Sequence, residues 1–278
     1  MPAAWNQPAS SSLHSCGQYN SEQILRSYFD TDNADVPLFF IVFDNVTGVS
    51  GSYKKTFLLH VPAEPTISGN TVTVVKSGGK LVLQNVFGGD SINAVGGVVF
   101  DAKGEFVSDS SSNYSVNGNQ LTPTKNSYDG YWGRVEISPN TGSATDQFLN
   151  VMYVCDANKT PSNVTATAIS NNVVKGARIG NTAAVFVTNR DRRTSSFTFS
   201  APGSGNVTYY VSGVESGDWT VSVNGNVVAT TDAAGGLLVF TAPAGNVTLT
   251  PTNLTRASVG EALGASDWST FDYSNLLP

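Results

Sequence analysis

The chain has 278 residues, of which only 13% are charged, and a formal net charge of -6. That length holds one large core or two ordinary ones. The acidic balance argues against a nucleic-acid groove or an anionic-membrane surface, both of which need a clustered Lys/Arg footprint. No apolar run approaches the roughly 20 residues of a membrane helix, and abundant Gly, Ser, Thr, Asn and Val suit short strands and tight turns. The expectation is an all-β protein.

Residues 1–35 form a polar N-terminal arm. Its start, MPAAWNQPASSS, has neither the basic nor the apolar region of a signal peptide. SEQILRSYF (Ser21 to Phe29) fits a short helix or a first strand. Asp30, Asp32 and Asp35 in DTDNAD could bind calcium together with Asn33, but the spacing is not that of an EF-hand and a polar turn is the simpler reading. No other cofactor is expected.

Residues 36–157 read as strand after strand. PLFFIVFD is apolar at nearly every position, as in a strand covered on both faces. KKTFLLHV partly alternates, with Thr56, Leu58 and His60 on one face and Phe57, Leu59 and Val61 on the other. TVTVV, KLVLQNV, GGVVF, GRVEIS and QFLNVMYV follow at the spacing of a β-sandwich. The turns at Ser68 to Asn70, Ser77 to Lys80, Asp101 to Glu105 and Val116 to Asn119 supply residues that tolerate positive φ, and FGGD (Gly88 to Asp90) is a further turn.

After Cys155 the composition turns small and polar, marking a boundary. Residues 158–256 are again strands. NVTYYVSG, GDWTVSVNG and NVVATT suggest a meander with a tight turn at Val223 to Asn226, closed by LLVFTAPAGNVTLTP. Two echoes, FSAPGSGNVTYY and FTAPAGNVTLT, suggest a likeness between two hairpins, too short for a repeat architecture. Arg190, Arg192 and Arg193 form the densest basic cluster and read as a solvated loop. Residues 257–278 form a C-terminal arm whose Trp268, Phe271 and Tyr273 need a partner.

Cys16 and Cys155 are the minimum for one disulfide, worth roughly 4–5 kcal/mol for so long a loop, and equally fit two buried free thiols. Sequons at Asn45, Asn113, Asn158, Asn163, Asn206, Asn246 and Asn253 are acceptors in a eukaryotic secretory setting. Both features favour an extracellular or cell-surface location.

NSYDGYWGR places Tyr128, Asp129, Tyr131, Trp132 and Arg134 at one loop-to-strand junction. That composition suits stacking on sugar rings and bonding their hydroxyls, and Trp132 and Arg134 can equally just begin the next strand. His60 reads as a structural histidine. A chain with two histidines and two cysteines supplies a zinc site poorly.

The block from Val36 to Cys155 resembles heparinase II/III-like polysaccharide lyases, in which a strand precedes a hairpin akin to KKTFLLHVPAEPTISG and SGGKL, and YWGRVEISP precedes DQFLNVMYV. A weaker similarity to that family's C-terminal β region continues to about Thr252. The resemblance implies an antiparallel two-sheet β-sandwich followed by a smaller β domain. It implies no catalytic residue here, since the α/α toroid and the early histidine motifs of family enzymes have no counterpart in these residues. β-Elimination would have to draw on Tyr128, Tyr131, Arg134, His60 and Lys54. The expectation is a non-catalytic extracellular protein that is structural, self-assembling or glycan-associated, pairing through its terminal arms into oligomers or filaments, with a polysaccharide lyase or a fragment of one as the alternative.

Overall fold

The computed structural model describes residues 19–27, 35–36, 39–100, 106–109, 115–116, 119–120, 132–189 and 191–255. Among them every regular element is a β-strand, as the composition predicts. The main division into compact units falls between Lys159 and Thr160.

Up to Lys159 the strands are β1 (Tyr19–Ser27), β2 (Phe39–Thr47), β3 (Phe57–Val61), β4 (Thr66–Ser68), β5 (Thr71–Lys76), β6 (Gly79–Phe87), β7 (Ser91–Gly96), β8 (Val98–Phe100), β9 (Phe106–Asp109), β10 (Ser115–Val116), β11 (Asn119–Gln120), β12 (Gly133–Ser138) and β13 (Thr145–Asp156). The segment open to helix or strand is thus a strand, β1. Six strands form one sheet in the order β1-β2-β13-β6-β5-β4, three form another in the order β3-β12-β7, and β8-β9 and β10-β11 are separate hairpins. Val72, Val74 and Leu83 of the larger sheet cluster with Val61, Val135 and Ile137 of the smaller one. Their side chains meet because both sheets turn their apolar faces inward, which is sandwich packing. The turn between β5 and β6 has Ser77 at φ 50° and Gly78 at φ 83°, the paired positive values that match the twist of a two-residue hairpin.

The β2 strand departs from expectation. Phe39, Ile41 and Phe43 are buried while Phe40, Val42 and Asp44 are half-buried, so one face is fully covered and the other only in part. Beyond β2, Lys55 and Asp146 form an ion pair with Nζ 3.0 Å from Oδ2 and side chains only 8% and 9% exposed. The same ammonium donates to the Ser143 carbonyl, and the Gly48 amide donates to the Ala144 carbonyl at 2.9 Å. These bonds tie the loop after β2 to the loop leading into β13.

From Thr160 the strands are β14 (Thr167–Ser170), β15 (Val174–Ile179), β16 (Thr182–Val187), β17 (Phe197–Ser212), β18 (Gly217–Val223), β19 (Asn226–Ala234) and β20 (Leu237–Leu254). They form one sheet in the order β14-β15-β16-β17-β20-β18-β19. The expected meander is therefore interrupted, because β20 lies between β17 and β18. All pairings in this sheet are antiparallel except β16 with β17, which is parallel.

The physical cause is the length of two strands. β17 and β20 span 16 and 18 residues and pair along most of that length, with the register slipping between Ala201↔Gly245 and Asn206↔Pro243. At that slip the ribbon bends: the rings of Phe199 and Tyr209 are 6.0 Å apart, whereas ten residues of straight strand would separate them by about 33 Å. The sheet thus doubles back over a single core holding Trp219, Tyr209, Phe199, Val185 and Leu249. The two sequence echoes are accordingly the two strands of this one ribbon, each breaking at its Pro-Gly segment, and not two hairpins. Gly203 at φ 90° supplies a conformation that a side chain would oppose.

The basic cluster is the solvent-exposed loop that the sequence suggests, with Arg192 exposed and Arg193 half-buried. Arg192 lies 3.6 Å from Glu215 and donates to the Gly235 carbonyl at 3.1 Å, while the Arg193 guanidinium sits 5.8 Å from the Phe197 ring centroid and bonds the Ser195 and Ser196 carbonyls. Main-chain acceptors and an aromatic face hold these side chains on the protein. Arg190 lies outside the described residues.

Tyr209 donates to the Pro243 carbonyl at 3.1 Å. Burial pushes its phenol above the ordinary value, against a smaller lowering by the Arg178 guanidinium. The folded phenol therefore holds its proton more tightly than the unfolded one. Its stabilising contribution is complete below the unfolded value of about 10 and is lost as pH rises through the folded value. Thermal melts taken from about pH 9 to about pH 11 are expected to decline more steeply for the wild type than for Tyr209→Phe. Parallel declines would mean that Tyr209 carries none of the alkaline sensitivity.

Candidate functional site in the three-stranded sheet

The junction singled out in the sequence leads into β12, the central strand of the smaller sheet of the sandwich. Gly133 opens it with φ 155°, and a Cβ there would stand 2.2 Å from the Val95 carbonyl oxygen, so the two strands approach too closely for any side chain. The Trp132 ring lies over Gly96, where a Cβ would fall 2.6 Å from ring atoms, and packs against the sandwich core. After Gly133 simple alternation takes over: Val135 and Ile137 point into the core, which places Arg134 and Glu136 on the outer face.

Register then determines the neighbours. Arg134 stands opposite His60 on β3 and Val95 on β7, and Glu136 stands opposite Leu58 and Asn93. Directly paired residues share a face, so these six side chains form two adjacent rows. Arg134 bonds Glu136 within its own strand, with Nε and Nη2 each 2.8 Å from Oε1. His60 and Leu58 are exposed.

A third row ends in a concavity. Ser138 stands opposite Ser91 and its hydroxyl lies 2.9 Å from that of Thr56. Beside them Ser52, Lys54, Ser91, Ser138, Pro139, Asn140 and Gly142 line a shallow groove of ≈ 370 Å³. Asp90 shapes its rim by accepting the Asn140 amide at 3.0 Å. Hydroxyls, a side-chain amide and one ammonium in an open groove can hydrogen-bond a polyhydroxylated ligand, and the Lys54 charge can meet a carboxylate. The groove is open to water, an arrangement better suited to holding a polymer than to enclosing a reaction.

The structure separates Trp132 from Arg134, the first against the core and the second on the outer face. Tyr128, Asp129 and Tyr131 lie outside the described residues. Glu136, Asn93, Ser91 and Asn140 lie outside that junction in sequence, yet the structure brings them to the same face or its groove. The two-residue spacing of Arg134 and Glu136 was the available signal for the first, whereas the other three depend on strand pairing.

Of the remaining candidates, Cys155 is half-buried on β13 opposite Lys80 and has no disulfide among the described residues; Cys16 lies outside them. Asn158, Asn163, Asn206, Asn246 and Asn253 are exposed and Asn45 is half-buried, with Asn113 outside the described residues. Asp30, Asp32 and Asn33 also lie outside, and among the described residues no group of three or more His, Cys, Asp or Glu comes together.

No curated protein matches the chain. Residues 168–251 match the family described as the heparinase II C-terminal domain, so the doubled sheet from β14 into β20 is similar to the C-terminal β region of a heparinase-like polysaccharide lyase.

Proposed function

We propose that this protein is a non-catalytic, extracellular β module that holds a uronate-containing polysaccharide along the outer face of β3, β12 and β7. The observation that carries this choice of face is the groove beside β12, lined by Ser52, Lys54, Ser91, Ser138 and Asn140, while the match of residues 168–251, in the second unit, to the heparinase II C-terminal domain supports a polysaccharide as partner. The groove at Lys54 and the Arg134 row supply fixed polar groups for such a chain. An open face bearing one arginine already engaged by Glu136 suits recognition, because β-elimination needs a base aimed at one proton and a group neutralising the carboxylate out of water. With a net charge of -6, long-range attraction is absent and affinity rests on short-range contacts.

Titration calorimetry of the full chain against heparan sulfate, alginate and a neutral glucan tests the reading. Binding to a uronate polymer and not to the glucan is expected, and Lys54→Glu should weaken it at least about tenfold, or about 1.4 kcal/mol. Binding equal for all three polymers, or for none, would overturn it. Ultraviolet absorbance from unsaturated uronides, released by this chain alone, would replace the proposal with a lyase activity.

A further inference from the structure

The second unit has a concavity of its own, distinct from the β12 face. It opens at the end of the doubled sheet, is lined by Asn163, Thr165, Thr167, Arg178, Gly180, Pro202 and Gly203, and measures ≈ 410 Å³. That volume lies within the range of about 300–1,000 Å³ of small-molecule sites.

Arg178 dominates it. On β15 it stands opposite Thr167 of β14 and Ala183 of β16. Ala183 belongs to the core, so this is the inward row of the sheet where it reaches the open end. The guanidinium donates through Nε to the Gly180 carbonyl at 2.8 Å, through Nη1 to the Pro202 carbonyl and through Nη2 to the Ser204 carbonyl at 2.8 Å. These three bonds fix the fork against the bend of β17.

A guanidinium carries five N–H groups, so two remain for a ligand. Its positive charge is met only by carbonyl dipoles, with no carboxylate partner for Arg178 among the described residues. A pre-positioned, half-buried arginine with no carboxylate partner among the described residues is suited to a ligand carboxylate, which it pairs with in plane. The exposed Thr165, Thr167 and Asn163 add hydroxyl and amide groups beside it, and the Pro202 ring adds a small apolar surface.

We infer that the Arg178 pocket binds a single hexuronate unit, its carboxylate on the guanidinium and its hydroxyls on Thr165, Thr167 and Asn163. The site goes beyond the polymer-binding face and needs no residue of it. Because Arg178 also pins the β17 bend, its removal could unfold the unit, so the informative variant is Thr167→Trp, which fills the mouth and keeps the arginine.

The test is amide NMR of the full chain titrated with D-glucuronate and, separately, with D-glucose. Glucuronate is expected to bind with a Kd of about 1 mM, shifting the amides of Thr165, Thr167, Gly180 and Gly203, with glucose at least about tenfold weaker. Thr167→Trp should abolish those shifts, and Arg178→Lys should weaken binding while keeping the charge. Glucuronate shifts confined to β12 and Lys54 would overturn this pocket while supporting the polymer face. Equal response to both sugars, undiminished binding by Thr167→Trp, or no response to glucuronate would each overturn it as well, leaving the polymer titrations to judge the face independently.

Discussion

Replacing Trp219 with alanine is expected to cost about 3–5 kcal/mol and to unfold the second unit well below the wild-type transition. Trp219 is fully buried, its ring meets Phe197 edge-on at 6.1 Å, and its indole donates to the Glu215 carbonyl at 2.9 Å. It lies on β18, which joins β19 to the long β20, so its loss opens a cavity in the apolar cluster that the doubled sheet closes around. Trp219→Phe retains most of the packing and orphans the carbonyl, for a smaller cost of about 1–3 kcal/mol. Urea unfolding followed by circular dichroism separates the two. An alanine variant as stable as the phenylalanine variant would place the main support of the unit elsewhere, in the Tyr209 to Phe240 stack, whose rings are 4.9 Å apart.

Removing one partner of the Lys55 to Asp146 pair has the second large effect. Asp146→Ala leaves an ammonium with only main-chain acceptors in a site shielded from water, at an expected cost of about 3–5 kcal/mol. Lys55→Met strands the carboxylate to a similar extent. The double variant Lys55→Met with Asp146→Leu should recover most of the loss, because the penalty comes from an uncompensated charge and not from the absence of an attraction. Calorimetric melts of the three variants decide the matter. Additive losses would mean that each residue stabilises the loops through its own backbone contacts, Lys55 to Ser143 above all.

The strands of the first unit were legible because their pattern is local. Alternation in KKTFLLHV groups Leu58 and His60 on one face, and the structure shows that this face is the exposed one. The turn at Val223 to Asn226 was legible for the same reason, since Asn224 and Gly225 adopt φ 50° and 85° as a two-residue hairpin requires. The expected meander fails because NVTYYVSG is no whole strand but the second half of one beginning at Phe197. Pro202 and Gly203 look like a terminator in sequence, yet here they bend a strand that continues to pair.

The candidate sites divide along the same line. Composition groups Trp132 with Arg134, but Gly133 sends them to opposite sides of the sheet. Arg178 carried no sequence signal, because its three carbonyl partners lie 2, 24 and 26 residues away, and only the bend in β17 brings the last two to it.

Composition, alternation and turn chemistry by themselves determined an all-β chain, most of its strands and its hairpin turns, since each depends on residues within a few positions of one another. Tertiary structure alone decided which strands are neighbours, where the long ribbon folds back and which polar groups share a face. Pairing joins residues far apart in the chain, and its register is selected by the burial of a whole apolar face that no short segment contains.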